Sequence, residues 1–263
     1  MMNILGILIV SGLGAGLLSG LLGIGGGTVM VPLLVAVGYP YNQAVATSSL
    51  AIVITALSGT LQNWRMGVLR PRAVLFLALP AIATAQVGAY LVGQLPDFIK
   101  EGAFGLLLIV TIGLVRLKQH LAQQTSDPET AAESTPVKVN PLLARLGTGA
   151  AAGLLAGLFG VGGGVIMVPL QMLLLQEPIK TAIRTSLGVI VLTSISACLG
   201  HAQQGNVVAI AGLALGAGGL VGAQVSTRFL PKLPDQIVNL SFRGLLLVLA
   251  LYFFWRAVES YGI

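Results

Sequence analysis

Charge is what this 263-residue sequence has least of. Only 8% of the chain is Asp, Glu, Lys or Arg, while 56% is hydrophobic. A water-covered surface needs charged residues at about 25% of the chain. A soluble globular domain is therefore excluded, and an all-α polytopic membrane protein is expected. The single cysteine, Cys198, excludes a disulfide framework and a cysteine-based metal centre, and it reads as a small core residue. The histidines are two, His120 and His201. The eight acidic residues are Asp97, Glu101, Asp127, Glu129, Glu133, Glu177, Asp235 and Glu259, and they are expected outside the spans. An intramembrane enzyme would need a nucleophile–base pair or a metal cluster at membrane depth, and this inventory offers neither. No metal and no cofactor is expected. A proton relay or sodium site normally needs intramembrane carboxylates. A pathway without them suits an anion, whose outward movement an inside-negative potential favours by about 2.3 kcal/mol per charge per 100 mV.

Glycine is what the sequence has in abundance, 35 residues in all. Residues 20–33 read GLLGIGGGTVMVPL, and residues 157–170 read GLFGVGGGVIMVPL. Aligned at an offset of 137, Gly16–Leu33 and Gly153–Leu170 agree at thirteen of eighteen positions. The likeness runs on: SSLAIVIT from Ser48 lies over TSLGVIVL from Thr185. After one inserted residue, Asn63 falls opposite His201. The chain is a duplication. Its halves are residues 1–117 and 142–263, joined by a polar linker, 118–141, with no apolar period. The first twenty residues lack a basic leader region and belong to the repeat, so they read as retained structure.

Three runs per half are long enough to span: 44–63, 73–95 and 98–117, then 181–200, 207–228 and 237–256. Before each trio comes an apolar run (3–22 or 142–159), the glycines, and a short run ending near Val37 or Gln176. The short run is long enough for only about half a bilayer. This pattern predicts a re-entrant hairpin broken at the glycines. The basic residues are scattered, which speaks for topology and against nucleic acid. Loop 64–72 holds Arg65, Arg70 and Arg72, whereas its counterpart 201–206 holds no Lys or Arg. The charge asymmetry reverses between the halves, so inverted-topology repeats are expected, with the linker cytoplasmic and both termini outside. That arrangement puts twelve of the fourteen Lys and Arg residues inside, leaving Lys100 and Arg256. Parallel repeats of four crossings each are the alternative.

Inverted repeats with broken helices point to a transporter whose site lies near the midplane. Gly25, Gly26 and Gly27, with Gly162, Gly163 and Gly164, can turn the backbone and let ligands approach. The half-helices after them, from Thr28 and Val165, aim free N–H groups at the break, which suits an anion. Pro32 and Pro169 are expected in their first turns. Close helix packing is the competing use of these glycines. Thr47, Ser48, Ser49, Thr185 and Ser186 enter the next span, where they could donate to an oxyanion or bond their own backbone. Arg184, opposite Thr47 at this offset, is a possible anion ligand or a snorkelling surface cation. Asn63 and His201 are possible ligands or ordinary interfacial residues.

The doubled glycine motif before Met-Val-Pro, with ATSSL and TSLGVI, resembles the sulfite exporter TauE/SafE family over nearly the whole chain outside the linker. The resemblance implies movement of small sulfur-containing anions such as sulfite, thiosulfate or sulfoacetate across the bacterial inner membrane. The family motif maps onto the two glycine triplets and the Thr/Ser pairs. Ser48-Ser49, where Thr-Ser is more usual, is a departure that bears on substrate. Channel-like flux and import are the alternatives to export, and the oligomeric state is open.

Overall fold

The computed structural model describes the backbone of residues 2–124 and 140–260. The central part of the linker, 125–139, lies outside the described residues. The first half comprises α1 (Met2–Leu22), α2 (Gly27–Ala36), α3 (Tyr41–Arg65), α4 (Pro71–Leu91) and α5 (Asp97–Gln124). The second comprises α6 (Pro141–Phe159), α7 (Gly164–Leu174), α8 (Ile179–Gln203), α9 (Ala209–Phe229) and α10 (Asp235–Ser260). The sequence patterns explain the breaks. Pro71 and Pro141 open α4 and α6, where a missing N–H costs nothing. Gly23 (φ 68°) and Gly160 (φ 63°) end α1 and α6 in the left-handed conformation that glycine adopts without strain.

Among the described residues eight helices, all but α2 and α7, are long and apolar enough to cross a membrane. These include α1 and α6, so length adds two candidates to the six runs expected. The short helices have 10 and 11 residues.

Contacts cross between the halves, and α1 with α9 and α4 with α6 form the most extensive seams. Gly12, Gly16 and Gly20 of α1 meet Leu215, Gly219 and Ala223 of α9 in rising order, so these helices run parallel. Gly149, Gly153 and Gly157 of α6 meet Leu77, Ala81 and Ala85 of α4 in the same way. Likewise α3 runs parallel to α9, and α4 to α8, from Gly188 beside Val74 to Gly200 beside Gln86.

The basic loops share one end of the molecule. Lys180 pairs with Asp235 at 3.1 Å, and Arg70 lies 3.9 Å from Glu177. Burial pushes the Glu177 carboxyl above its ordinary range, an effect that the nearby Arg70 and Arg145 oppose. The other end holds Lys100, which donates to Asn42 Oδ1 (2.7 Å) and to the Val92 carbonyl (3.3 Å). Glu101 corrects the expectation that every carboxylate lies outside the spans. It sits in the second turn of α5, buried, 3.3 Å from Arg256 of α10. A partner cation supplied by the facing helix makes that burial tolerable.

Candidate functional site

The two glycine breaks meet at the centre of the molecule and interlock. A Cβ on Gly27 would strike the Gly160 carbonyl, and one on Gly164 would strike the Gly23 carbonyl. Each half-helix therefore begins directly against the other half's break. Gly25 and Gly26 (φ 78° and 81°) and Gly162 and Gly163 (φ 75° and 79°) turn the chain through conformations that side chains disfavour. No side chain caps α2 or α7. The first N–H groups of both helices, with their dipole ends, are thus aimed at the break. Among the described residues the only buried charged side chains are Lys100 and Glu101, at the far end of α5. The centre is thus without charged side chains, and the dipoles of two half-helices point into it.

The half-helices start one residue earlier than expected, and the prolines fall deeper. Pro32 and Pro169 are each the sixth residue of their helix. There they remove the bonds to the Thr28 and Val165 carbonyls. These additional acceptors are freed close to the break.

The serines have a definite partner. Ser48 Oγ donates to the Gly160 carbonyl (2.9 Å) and to Val45 (2.9 Å), and Ser186 Oγ donates to the Gly23 carbonyl (2.8 Å). Each hydroxyl ties a span of one half to the break of the other. This pairing also corrects the register. Ser48 matches Ser186, and Ile52 matches Ile190, so the spans correspond at an offset of 138. The inserted residue lies upstream of the span, because α7 is one residue longer than α2. Thr47-Ser48 is then the counterpart of Thr185-Ser186, and the apparent Ser-Ser departure disappears. Arg184 falls opposite Ala46 instead of Thr47.

The remaining candidates are placed as follows. Thr47 Oγ1 accepts from the Val208 N–H at 3.1 Å, anchoring α3 to the start of α9. Thr185 is buried beside Ser186. Ser49 bonds Val45 of its own helix at 2.9 Å, the self-satisfied outcome. Arg184 is half-buried, with its Nε unpartnered. Cys198 is half-buried, not core. Asn63 and His201 lie in the last turns of α3 and α8, and both are fully buried within the protein.

Three further features carried no weight in the sequence reading. Ile52 and Ile190 each pack on both tips, 3.1–3.3 Å or less from a Cβ built on Gly25 or Gly162, and they fill the space between them. Thr193 Oγ1 reaches the Gly162 carbonyl at 3.3 Å. Ser58 donates to Gln224 Oε1 (3.0 Å), and Gln86 Nε2 donates to Ser196 Oγ (3.1 Å), two equivalent pairs that each join one half to the other. The visible signal for the last was the tripeptide Ala-Gln-Val, present at residues 85–87 and again at 223–225.

The serine contacts make a testable distinction. Ser48→Ala or Ser186→Ala leaves a buried glycine carbonyl short of a donor, at a cost of about 1–3 kcal/mol. Both are expected to lower the thermal midpoint of the detergent-solubilised protein, with Ser186→Ala the clearer because Gly23 is that hydroxyl's single acceptor. Ser49→Ala is expected to leave the midpoint within error. Equal midpoints for all three would remove the bridging role.

A profile of the family described as "Sulfite exporter TauE/SafE" matches residues 8–253. The chain is 28% identical to the probable membrane transporter protein YunE of Bacillus subtilis, across 97% of this chain and 98% of that one. It is 29% identical to a probable membrane transporter protein of Methanocaldococcus jannaschii, over 75% of this chain and 72% of that one. A probable membrane transporter protein of Xylella fastidiosa shares 26% identity over 92% of this chain and 91% of its own. No solved structure matches.

Proposed function

Because the chain belongs to the sulfite exporter TauE/SafE family of membrane transporters, we propose that it exports small sulfur-containing anions through the crossing of its two glycine tips. The observation that carries this reading is the pair of uncapped half-helix N-termini, set against each other in a centre without charged side chains. Two convergent N–H clusters can replace part of an oxyanion's hydration. Among the described residues no carboxylate lies there to repel it. Gly25, Gly26, Gly27, Gly162, Gly163 and Gly164 frame the site, and Thr47, Ser48, Ser49, Thr185 and Ser186 flank it. Sulfite, thiosulfate and sulfoacetate are the substrates to test.

The topology proposed is inverted repeats, residues 1–117 and 142–263, in the bacterial inner membrane. Gly59 of α3 lies beside Leu187 of α8, while Ile52 and Ile190 of the same two helices meet at the tips. Contacts in that falling order make α3 and α8 antiparallel, which supports inversion. The length of α1 does not count against a re-entrant hairpin. Its end at Gly23 meets Ser186, seven residues into α8. It therefore stops about 10 Å of helix short of the basic end. Then α2 leads back to the end where α3 begins. With the basic loops and the linker cytoplasmic, both termini lie outside. Reporters at residues 68 and 204 are expected on opposite sides.

Uptake into inside-out vesicles tests the function. Labelled sulfite, thiosulfate and sulfoacetate are supplied with and without a lumen-positive potential. Saturable uptake of at least one anion, raised by the potential, is expected. Failure to move any of the three would overturn the substrate class, and linear, unsaturable flux would reassign the protein as a channel.

A further inference from the structure

His201 and Asn63 occupy the same place in the two halves, and both are fully buried. The ring nitrogen Nε2 of His201 lies 2.9 Å from the Gly157 carbonyl, in the last turn of α6 before the second tip. A carbonyl can only accept, so Nε2 carries the hydrogen and Nδ1 holds a bare lone pair. Among the described residues that nitrogen has no partner, nor has either polar atom of the Asn63 side chain. Buried polar atoms left unpaired are costly and rare, and they mark places where something else binds. At Asn63 the vacancy is that of a neutral amide. At His201 it is a base.

We infer that His201 is a proton-binding site on the outer side of the tips, coupled to anion movement. This inference rests on the transport reading above. The proton comes from the outer water and adds to Nδ1, while the Nε2 hydrogen stays on the Gly157 carbonyl. Among the described residues the resulting imidazolium has no carboxylate close by to neutralise it. On α6 the one charged residue is Arg145, and on α4 it is Arg72, both at the opposite end. Tyr90 of α4 points outward, α7 and α1 carry no charge, and α3 presents Tyr41 at this end and Arg65 at the other. On α8 itself the nearest ionisable group is Cys198. Lys100 at this end is held by Asn42 and the Val92 carbonyl, and Glu101 is engaged by Arg256. An anion at the tips is therefore the counter-charge left to a protonated His201. The linkage is reciprocal: acid on the outer side raises anion affinity, and bound anion raises proton affinity.

Right-side-out and inside-out vesicles, clamped at zero potential, test the coupling with thiosulfate, whose charge is constant across the range. From about pH 8 to about pH 5.5 in the bath facing the outer side, the wild-type KM is expected to fall roughly tenfold. His201→Gln, whose amide can keep the Gly157 bond, is expected to show one KM at every pH. The double exchange His201→Asn with Asn63→His, which only trades the residues of the two halves, is expected to move the pH dependence to the inner bath. Wild-type flux with the same pH slope in His201→Gln, or a slope that stays with the outer bath in the exchange variant, would overturn the inference alone. No wild-type flux of any sulfur anion at any pH would overturn the transport reading and the inference with it.

Discussion

Alanine at Gly27 or Gly164 is expected to abolish transport while the protein still accumulates in the membrane. Neither position has positive φ, so the expectation comes from space and not from backbone strain. A Cβ on Gly27 would overlap the Gly160 carbonyl and lie 2.5 Å from Ile52 Cδ1 and 2.7 Å from Val161 Cα. One on Gly164 would overlap the Gly23 carbonyl and lie 2.8 Å from both Ile190 Cδ1 and Ile24 Cα. Isoleucine side chains can turn aside, but the backbone of the opposite tip cannot. A single methyl group must therefore push the two breaks apart. Displacing positioned groups by about 1 Å can cost a hundredfold in rate, and a loss on that order in flux per mole of protein is expected. The seams of α1 with α9 and of α4 with α6 lie elsewhere, so assembly should survive. Gly14→Ala and Gly147→Ala, which point into open space, are the controls. Wild-type flux through Gly27→Ala and Gly164→Ala would remove the tips from the path.

The neighbouring positions separate two uses of glycine. Gly26 and Gly163 need positive φ, and a Cβ on Gly163 would also strike the Ala152 carbonyl. On Gly26 the closest atom is the Ala15 carbonyl at 3.1 Å. Leucine at either should block transport as well, through a distorted turn instead of a separated pair. Within GGG, then, the first two residues make the bend and the third makes the contact. Close packing is therefore what the third glycine shows, and a ligand site at the same residues is the reading proposed above.

The duplication, the break and the reversed charge were all legible because each rests on rare residues. Three consecutive glycines in an apolar run stand out, as do Arg65, Arg70 and Arg72 against an uncharged 201–206. The register of the spans was not legible. Ser-Leu can be laid over Ser-Leu at an offset of 137, and only the hydrogen bonds to Gly23 and Gly160 select 138. The side chains that fill the centre were hidden for the opposite reason. Ile52 and Ile190 are aliphatic residues among aliphatic residues, and nothing local marks them. The burial of Asn63 and His201 depends on where α1 and α6 lie across α9 and α4, which is tertiary information. Pro32 and Pro169 are fifth residues even when counted from Thr28 and Val165, already past the first turn, and the third glycine opens each helix one residue earlier still.

Leucine at Gly16 or Gly153 is expected to act in a different way, by preventing assembly. Lipid is as apolar as a side chain, so helices in a bilayer gain little from hydrophobic burial and must associate by close contact. These two seams achieve it with glycines on both sides, Gly88 of α4 lying against Leu154 and Gly157 of α6. Gly16 lies against Gly219, and Gly218 and Gly222 of α9 lie against Ile9 and Leu13 of α1. A Cβ on Gly153 would strike the Ala81 carbonyl and lie 2.5 Å from its Cα, so no rotamer change relieves it. Overpacking a fitted interior costs about 1–3 kcal/mol even when side chains can yield. Here backbone meets backbone along a parallel pair, and a leucine would pry the helices apart over several turns. The seams also join one half of the duplication to the other, so their loss separates the halves and with them the two tips. Membrane levels at least tenfold below wild type, or a monodisperse peak lost in size-exclusion chromatography, are the expected readouts. Gly6→Leu, on the same α1 helix but facing open space, should accumulate normally. If Gly16→Leu and Gly153→Leu reached wild-type levels and migrated as a single species, the parallel seams could not be what holds the halves together.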